Sequence, residues 1–165
     1  MSVRVGEDPG DPQFTVGDLL PHLAGDQAKK TMGAIVTAEH ADELACEMEA
    51  IAEERGHKFF LRDADNIRKA QAVVLIGTHP QLMGLDCGHC GYATCAEKPQ
   101  ANPCAINCID VGIAIGSAVS RAADMRVDSR VLFSAGLAAE RLGLLGEGIG
   151  QIYAIPISIG SRPQA

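Results

Sequence analysis

The run Cys87-Gly88-His89-Cys90-Gly91-Tyr92-Ala93-Thr94-Cys95, followed by Cys104 and Cys108, holds five of the chain's six cysteines. Its spacing is C-x2-C-x4-C-x8-C, with a fifth thiol four residues further on. Thiolates this dense repel one another unless a positive centre sits between them. In a reducing compartment that centre is a metal ion or an iron–sulfur cluster. Four thiolates suffice for a 4Fe–4S or 2Fe–2S cluster, or for a closed tetrahedral zinc site.

Three features favour the cluster. Gly88 and Gly91 interleave the first three cysteines, so the loop can turn tightly and aim backbone N–H groups at sulfur. Cys90 and Cys95 are separated by four residues, whereas structural zinc sites usually pair two C-x2-C knuckles. Pro103 stands immediately before Cys104 and fixes the approach of a fourth ligand. The spacing matches neither of the common ferredoxin runs, so a small ferredoxin fold is not implied. Cys108 lies on the face of Cys104 if both are helical. It either replaces Cys104 as a ligand or sits as a small buried residue beside the cluster, the second being favoured. His89 reads as a loop-surface residue and Tyr92 as a cover for the cluster edge. His22, His40, His57 and His79 are scattered and suggest no metal triad. No Gly-x-Ser-x-Gly elbow, His-Glu-x-x-His pair or phosphate-binding glycine loop is present.

The elements that must position this run can be read from periodicity. Residues 1–13 are polar and rich in Gly, Pro and Asp, a flexible lead-in without an apolar signal-peptide core. Residues 15–30 are weakly helical and interrupted by Pro21. A short strand is expected over 33–37. Thr37 then caps a helix over 38–55 whose apolar stripe is Ala41, Leu44, Ala45, Met48, Ile51 and Ala52, ending at Gly56. Cys46 falls on the acidic side of that helix, as a lone, partly exposed thiol. Residues 58–61 read as a strand leading into a short helix over 64–70. The apolar run 72–77 is of strand length and reads as a central strand buried on both faces, with the cysteine loop following it.

After Cys104 the pattern turns helical to about residue 124. Gly112, Ala114, Gly116, Ser117, Ala118, Ser120, Ala122 and Ala123 keep one side of that helix small, most simply for tight packing in the core. A further helix is expected over 129–142, with Val131, Leu132, Leu137, Ala138 and Leu142 inward and Gly143 ending it. Residues 152–157 read as a last strand, with Pro156 at a sheet edge or exit. The expected organisation is a single α+β domain over 14–165, a central sheet flanked by helices, with the cysteine-rich loop inserted at about 84–108.

Composition bounds the partners. Hydrophobic residues make up 47% of the 165 and charged residues 21%, a globular balance. The 21 acidic residues outnumber 14 basic ones for a net charge of −7, and Lys29-Lys30 is too short to be a basic cluster. Nucleic acid and anionic membrane surfaces are therefore not expected partners. The apolar stretch over 111–119 is too short to span a bilayer, and a cytoplasmic location is expected.

The stretch Gly84-Leu85-Asp86-Cys87 through Cys95, then Pro103-Cys104-Ala105, then Ile109-Asp110-Val111-Gly112-Ile113-Ala114-Ile115-Gly116-Ser117-Ala118, resembles a known family. It is that of the uncharacterised ferredoxin domain-containing proteins of anaerobic bacteria and archaea. Arg62-Asp63-Ala64, Val127-Asp128-Ser129-Arg130 and Ile155-Pro156-Ile157-Ser158 extend the likeness over about residues 33–158. The resemblance puts Cys87, Cys90, Cys95 and Cys104 at the ligand positions and leaves Cys108 outside them. The family's flanking segments look like those of flavin-dependent nitroreductases, which implies a nitroreductase-like fold, a homodimer and FMN as a candidate second cofactor. Lys29, Lys30 and Arg130 are then the basic residues available to a flavin. Gln27-Ala28-Lys29-Lys30 stands where the family has Thr-Ala-Pro-Lys, and the chain after Ser158 departs from the family's aromatic-Asp-Arg tail.

Three functions follow. The first is an iron–sulfur protein that passes electrons to or from a partner protein docked on its acidic surface. The second is an FMN-dependent oxidoreductase whose cluster feeds a flavin. The third is a non-enzymatic module in which the cysteines hold structural zinc.

Overall fold

The computed structural model describes residues 31–36 and 38–159. The lead-in over 1–13, the helical pieces over 15–30 with Lys29 and Lys30, Thr37 as a cap, and the tail from 160 onward lie outside them. The elements follow in the order β1 (Thr31–Val36), α1 (Ala38–Arg55), α2 (Phe59–Lys69), β2 (Ala72–Thr78), α3 (Ala105–Asp124), β3 (Asp128–Ser129), α4 (Phe133–Arg141) and β4 (Gly150–Ser158). The strands form one antiparallel sheet in the order β1-β2-β4-β3.

β2 explains the two-layer burial. Side chains alternate between the faces of a strand, and here both faces are covered. Val73 and Leu75 join a core with Leu44, Met48 and Ile51 of α1, Phe60 and Ile67 of α2, and Ala135, Ala138 and Ala139 of α4. Val74 and Ile76 point the other way and meet Ala114 and Ala118 of α3, with Ile155 of β4. Each fully buried aliphatic of this kind contributes roughly 1.5–3 kcal/mol. The six apolar residues expected on the inner stripe of α1 are all buried, and Gly56, which ends the helix, has a φ of 67°.

Three expectations are corrected. Residues 58–61 are not a strand: α2 begins at Phe59. Phe60, Ala64 and Ile67 recur at helical spacing and are buried together, which a strand could not achieve. The helix expected over 129–142 starts only at Phe133. Residues 128–129 pair with β4, and Leu132 makes an isolated bridge to Ala154, so Val131 is exposed rather than inward. β4 is an interior strand although it carries Pro156. The Ala154 N–H and carbonyl both bond Leu132, so two residues on, the Pro156 nitrogen faces the same side. It falls in the gap between the Ser129–Ile157 pair and the Leu132–Ala154 bridge, where no donor is required.

α4 lies directly on the backbone of β4. A Cβ at Gly136 would stand 1.7 Å from the Ile152 carbonyl oxygen, so only glycine fits there. The partly exposed side of α3 is the other surprise. Ala114, Ser117, Ala118 and Ala122 are buried as expected of a packing face, but Gly112, Gly116, Ser120 and Ala123 are exposed. By length and composition alone α3 could cross a bilayer, with a mean hydropathy of 1.2. Its inner face is packed on the sheet.

Candidate metal centre

The 26-residue excursion from Thr78 to Ala105 carries four of the cysteines. It leaves from the end of β2, beside a bulge: the β2–β4 register shifts between Ile76 and Thr78, and Gln151 has a φ of 50°. Asn107, in the first turn of α3 and only 1% exposed, grips the departing chain. Its side-chain amide donates to the carbonyls of His79 at 2.9 Å and Gln81 at 3.0 Å. The imidazole Nδ1 of His79 lies 3.2 Å from the Gly148 carbonyl and ties the same segment to the approach of β4. The loop is thus clamped where it leaves the sheet and where it rejoins the helix.

Within it, Gly88 and Gly91 both take positive φ, at 74° and 83°, and Gly91 N–H donates to the Gly88 carbonyl at 2.9 Å. That tight turn carries the first two cysteines round a corner, a geometry glycine adopts without strain. Asp86 accepts from the Cys95 N–H at 2.6 Å, so a carboxylate next to the first cysteine fixes the backbone of the third. A single 3-10 turn, Cys95–Glu97, follows.

The four expected ligands, Cys87, Cys90, Cys95 and Cys104, all line one pocket, with Met83, Leu85, Tyr92, Lys98 and Ile106 among its other walls. Cys108 does not. It is exposed, and its sulfur lies 3.3 Å from the Gln151 Nε2, on the side of α3 turned to the β4 bulge. The expectation that it is buried beside the ligands is therefore corrected. Cys46 is exposed in the α1 surface, with the Arg68 guanidinium at 3.7 Å. His89 is an exposed loop residue whose Nδ1 meets the Cys87 carbonyl, and Tyr92 is a half-buried wall of the pocket.

The pocket rests on the start of α3. Cys104 is the residue that caps this helix and is 4% exposed. Burial pushes its thiol pKa up, but backbone N–H groups of Asn107, Ile106 and Met83, with the Cys90 side chain, outweigh it and leave the pKa below the ordinary thiol value. Unpaired N–H groups in a first helical turn favour negative charge, and here the Ala105 N–H is given to the Cys90 sulfur at 3.2 Å. Thiolate sulfurs that accept backbone N–H bonds and lie in a partly apolar pocket are suited to a metal cluster. Among the described residues no three His, Cys, Asp or Glu side chains are drawn close enough to hold a single metal ion. The cysteines instead surround a common space.

Arg130 is half-buried just beyond β3, and the lysines paired with it in the flavin reading fall outside the described residues. The residues that sequence reasoning passed over are Asp86, Lys98 and Asn107. Asp86 had a signal, adjacency to Cys87. Asn107 and Lys98 act through backbone carbonyls and had none.

Residues 100–163 match the model of a family described as uncharacterized protein containing a ferredoxin domain. An uncharacterized protein of Archaeoglobus fulgidus is 36% identical, the match spanning 78% of this chain and 74% of that one. Among solved structures, a BluB-like flavoprotein from Clostridium difficile 630 superposes with a TM-score of 0.50 at 16% identity, covering 91% of this chain and 81% of its own. That likeness is one of fold, and the architecture is nitroreductase-like.

Proposed function

This chain belongs to the family of uncharacterized proteins containing a ferredoxin domain, and from that premise we propose that it is an electron-transfer protein holding one 4Fe–4S cluster. Cys87, Cys90, Cys95 and Cys104 are the ligands. The observation that carries the reading is their convergence on one pocket, while Cys108 and Cys46 face elsewhere. When bound, such a cluster accepts and returns single electrons at a potential set by its surroundings. The chain's own part is to present four sulfurs, to direct N–H groups at them from α3, and to cover them with Met83, Leu85, Tyr92 and Ile106.

Metal analysis and an absorbance spectrum of anaerobically purified protein test this reading. About four irons per chain and a brown colour that bleaches on reduction are expected. A colourless protein containing zinc would overturn it in favour of a structural site.

A second reading has the cluster serve a flavin. The nitroreductase-like architecture, shared with a flavoprotein, favours it. Yellow FMN released on denaturation, in addition to iron, is its test. In either case the partners are a redox protein and a second copy of this chain. Support for the pairing comes from the outer side of α3, where Ile109 and Ile113 are 50% and 42% exposed and Gly112 and Gly116 leave open space between turns. The net charge of −7 suits a redox partner with a basic docking face. With its four cysteines reduced, the protein belongs in a reducing, cytoplasmic setting.

A further inference from the structure

Lys98 carries the one basic side chain among the residues that line the cysteine pocket. It is 6% exposed. Lysines are almost never buried without a partner of opposite charge, yet among the described residues no carboxylate forms an ion pair with it. Its Nζ donates to the backbone carbonyls of Pro99, at 3.2 Å, and Asn102. Carbonyl dipoles satisfy the protons of an ammonium but supply no net charge, so its desolvation is only partly offset.

Four thiolates would supply that charge. Lys98 lines the pocket that the four cysteines share, and its backbone N–H donates to the Cys95 carbonyl at 3.3 Å. Its carbonyl partners belong to the turn at 99–102, which runs through Pro103 into Cys104. The nearby carboxylates are engaged elsewhere: Asp86 accepts from the Cys95 N–H, and Glu97 is exposed and bonded by the Thr94 hydroxyl.

We propose that Lys98 is the counter-charge of the cysteine pocket, and that its ammonium raises the reduction potential of the group held there. The inference rests on the cluster reading above. Reduction brings in one electron from an external low-potential donor, transfers no atom, and makes the site more negative by one unit. A buried cation lining the same pocket as the sulfurs favours that more negative state, because interactions between charges are strengthened where water is excluded.

The experiment compares wild type, Lys98→Gln and Lys98→Arg, each purified anaerobically. Iron and sulfide contents are measured first, then midpoint potentials by mediated titration with dithionite. Glutamine keeps an N–H donor for the two carbonyls but removes the charge, whereas arginine keeps both. The expected result is a more negative midpoint for Lys98→Gln, or loss of its iron, with Lys98→Arg close to wild type in both measurements. Wild-type iron and an unmoved midpoint in Lys98→Gln would overturn the inference alone, as would an arginine variant that behaves like the glutamine one. Absence of iron from the wild type would overturn the cluster reading, and this inference with it.

Discussion

The backbone N–H of Ala105 donates to the Cys90 sulfur across 3.2 Å, joining residues fifteen positions apart. Cys104 immediately precedes that N–H, so the first turn of α3 holds one expected ligand covalently and a second through a hydrogen bond. Helix and loop are one site.

The ligand assignment is tested by single substitutions. Cys87→Ser, Cys90→Ser, Cys95→Ser and Cys104→Ser should each lose most of the iron, because a hydroxyl is a poor substitute for a thiolate at an iron–sulfur cluster. Cys46→Ser and Cys108→Ser should retain wild-type iron, since neither sulfur faces the pocket. Iron per chain and the visible spectrum read out all six.

Asn107→Leu should loosen the loop. It removes both Asn107 amide bonds, leaving the His79 carbonyl with the Gln81 N–H at 2.8 Å and taking from the Gln81 carbonyl the bond it received at 3.0 Å. Each such hydrogen bond contributes about 0.5–1.5 kcal/mol net. Urea denaturation should show a loss of that size, and reconstitution with iron and sulfide should be slower than for wild type.

A buried pair far from the cysteines should matter to stability alone. Ser134 of α4 donates to the Asp63 carboxylate of α2 at 2.7 Å, and both are buried. Ser134→Ala should cost about 1–3 kcal/mol in denaturant with iron content unchanged. Gly136→Ala is the severe case. Its methyl would meet the Ile152 carbonyl at 1.7 Å, and overpacking typically costs about 1–3 kcal/mol, with a clash against backbone at the upper end. Accumulation in the insoluble fraction is the expected readout.

Removing the metal should separate loop from scaffold. Neither buried apolar cluster contains a residue of the 79–104 excursion. After anaerobic chelation, amide exchange should accelerate across that excursion while β2, β4 and the inner face of α1 keep their protection. Collapse of protection throughout the sheet would show that the metal holds the fold itself.

Pairing of two copies through α3 predicts that Ile113→Glu yields a monomer by light scattering without loss of iron, as the side chain is 42% exposed and outside the pocket. A variant that stays dimeric would place the interface elsewhere.

The cysteine site was legible because a thiolate site demands one residue type at set intervals, and no packing detail can disguise five cysteines in so short a span. Helix α1 was legible for a related reason: eighteen residues give its period five turns in which to repeat. α2 was not. Phe59, Phe60 and Leu61 together have strand composition, and the helical spacing emerges only when Phe60 is followed past polar Arg62 and Asp63 to Ala64 and Ile67. Pro156 misled because its lack of a donor suits any unpaired side of a strand, and the gap in β3 supplies one inside the sheet. Asn107 and Lys98 were silent for a different reason. Their partners are backbone carbonyls, which every residue has, so identity and spacing carry no trace of the contact.

The clamp formed by Asn107 also bears on assembly. A chain that must gather scattered ligands pays an entropic toll that grows with the logarithm of the loop it closes, about 0.6 kcal/mol for each doubling. Here the Asn107 amide ties the start of α3 to the start of the long excursion, and the Ala105–Cys90 bond joins the segments of two of the cysteines. Contacts of this kind, made by the chain itself, shorten the loop that the sulfurs must close and raise their effective concentration for one another.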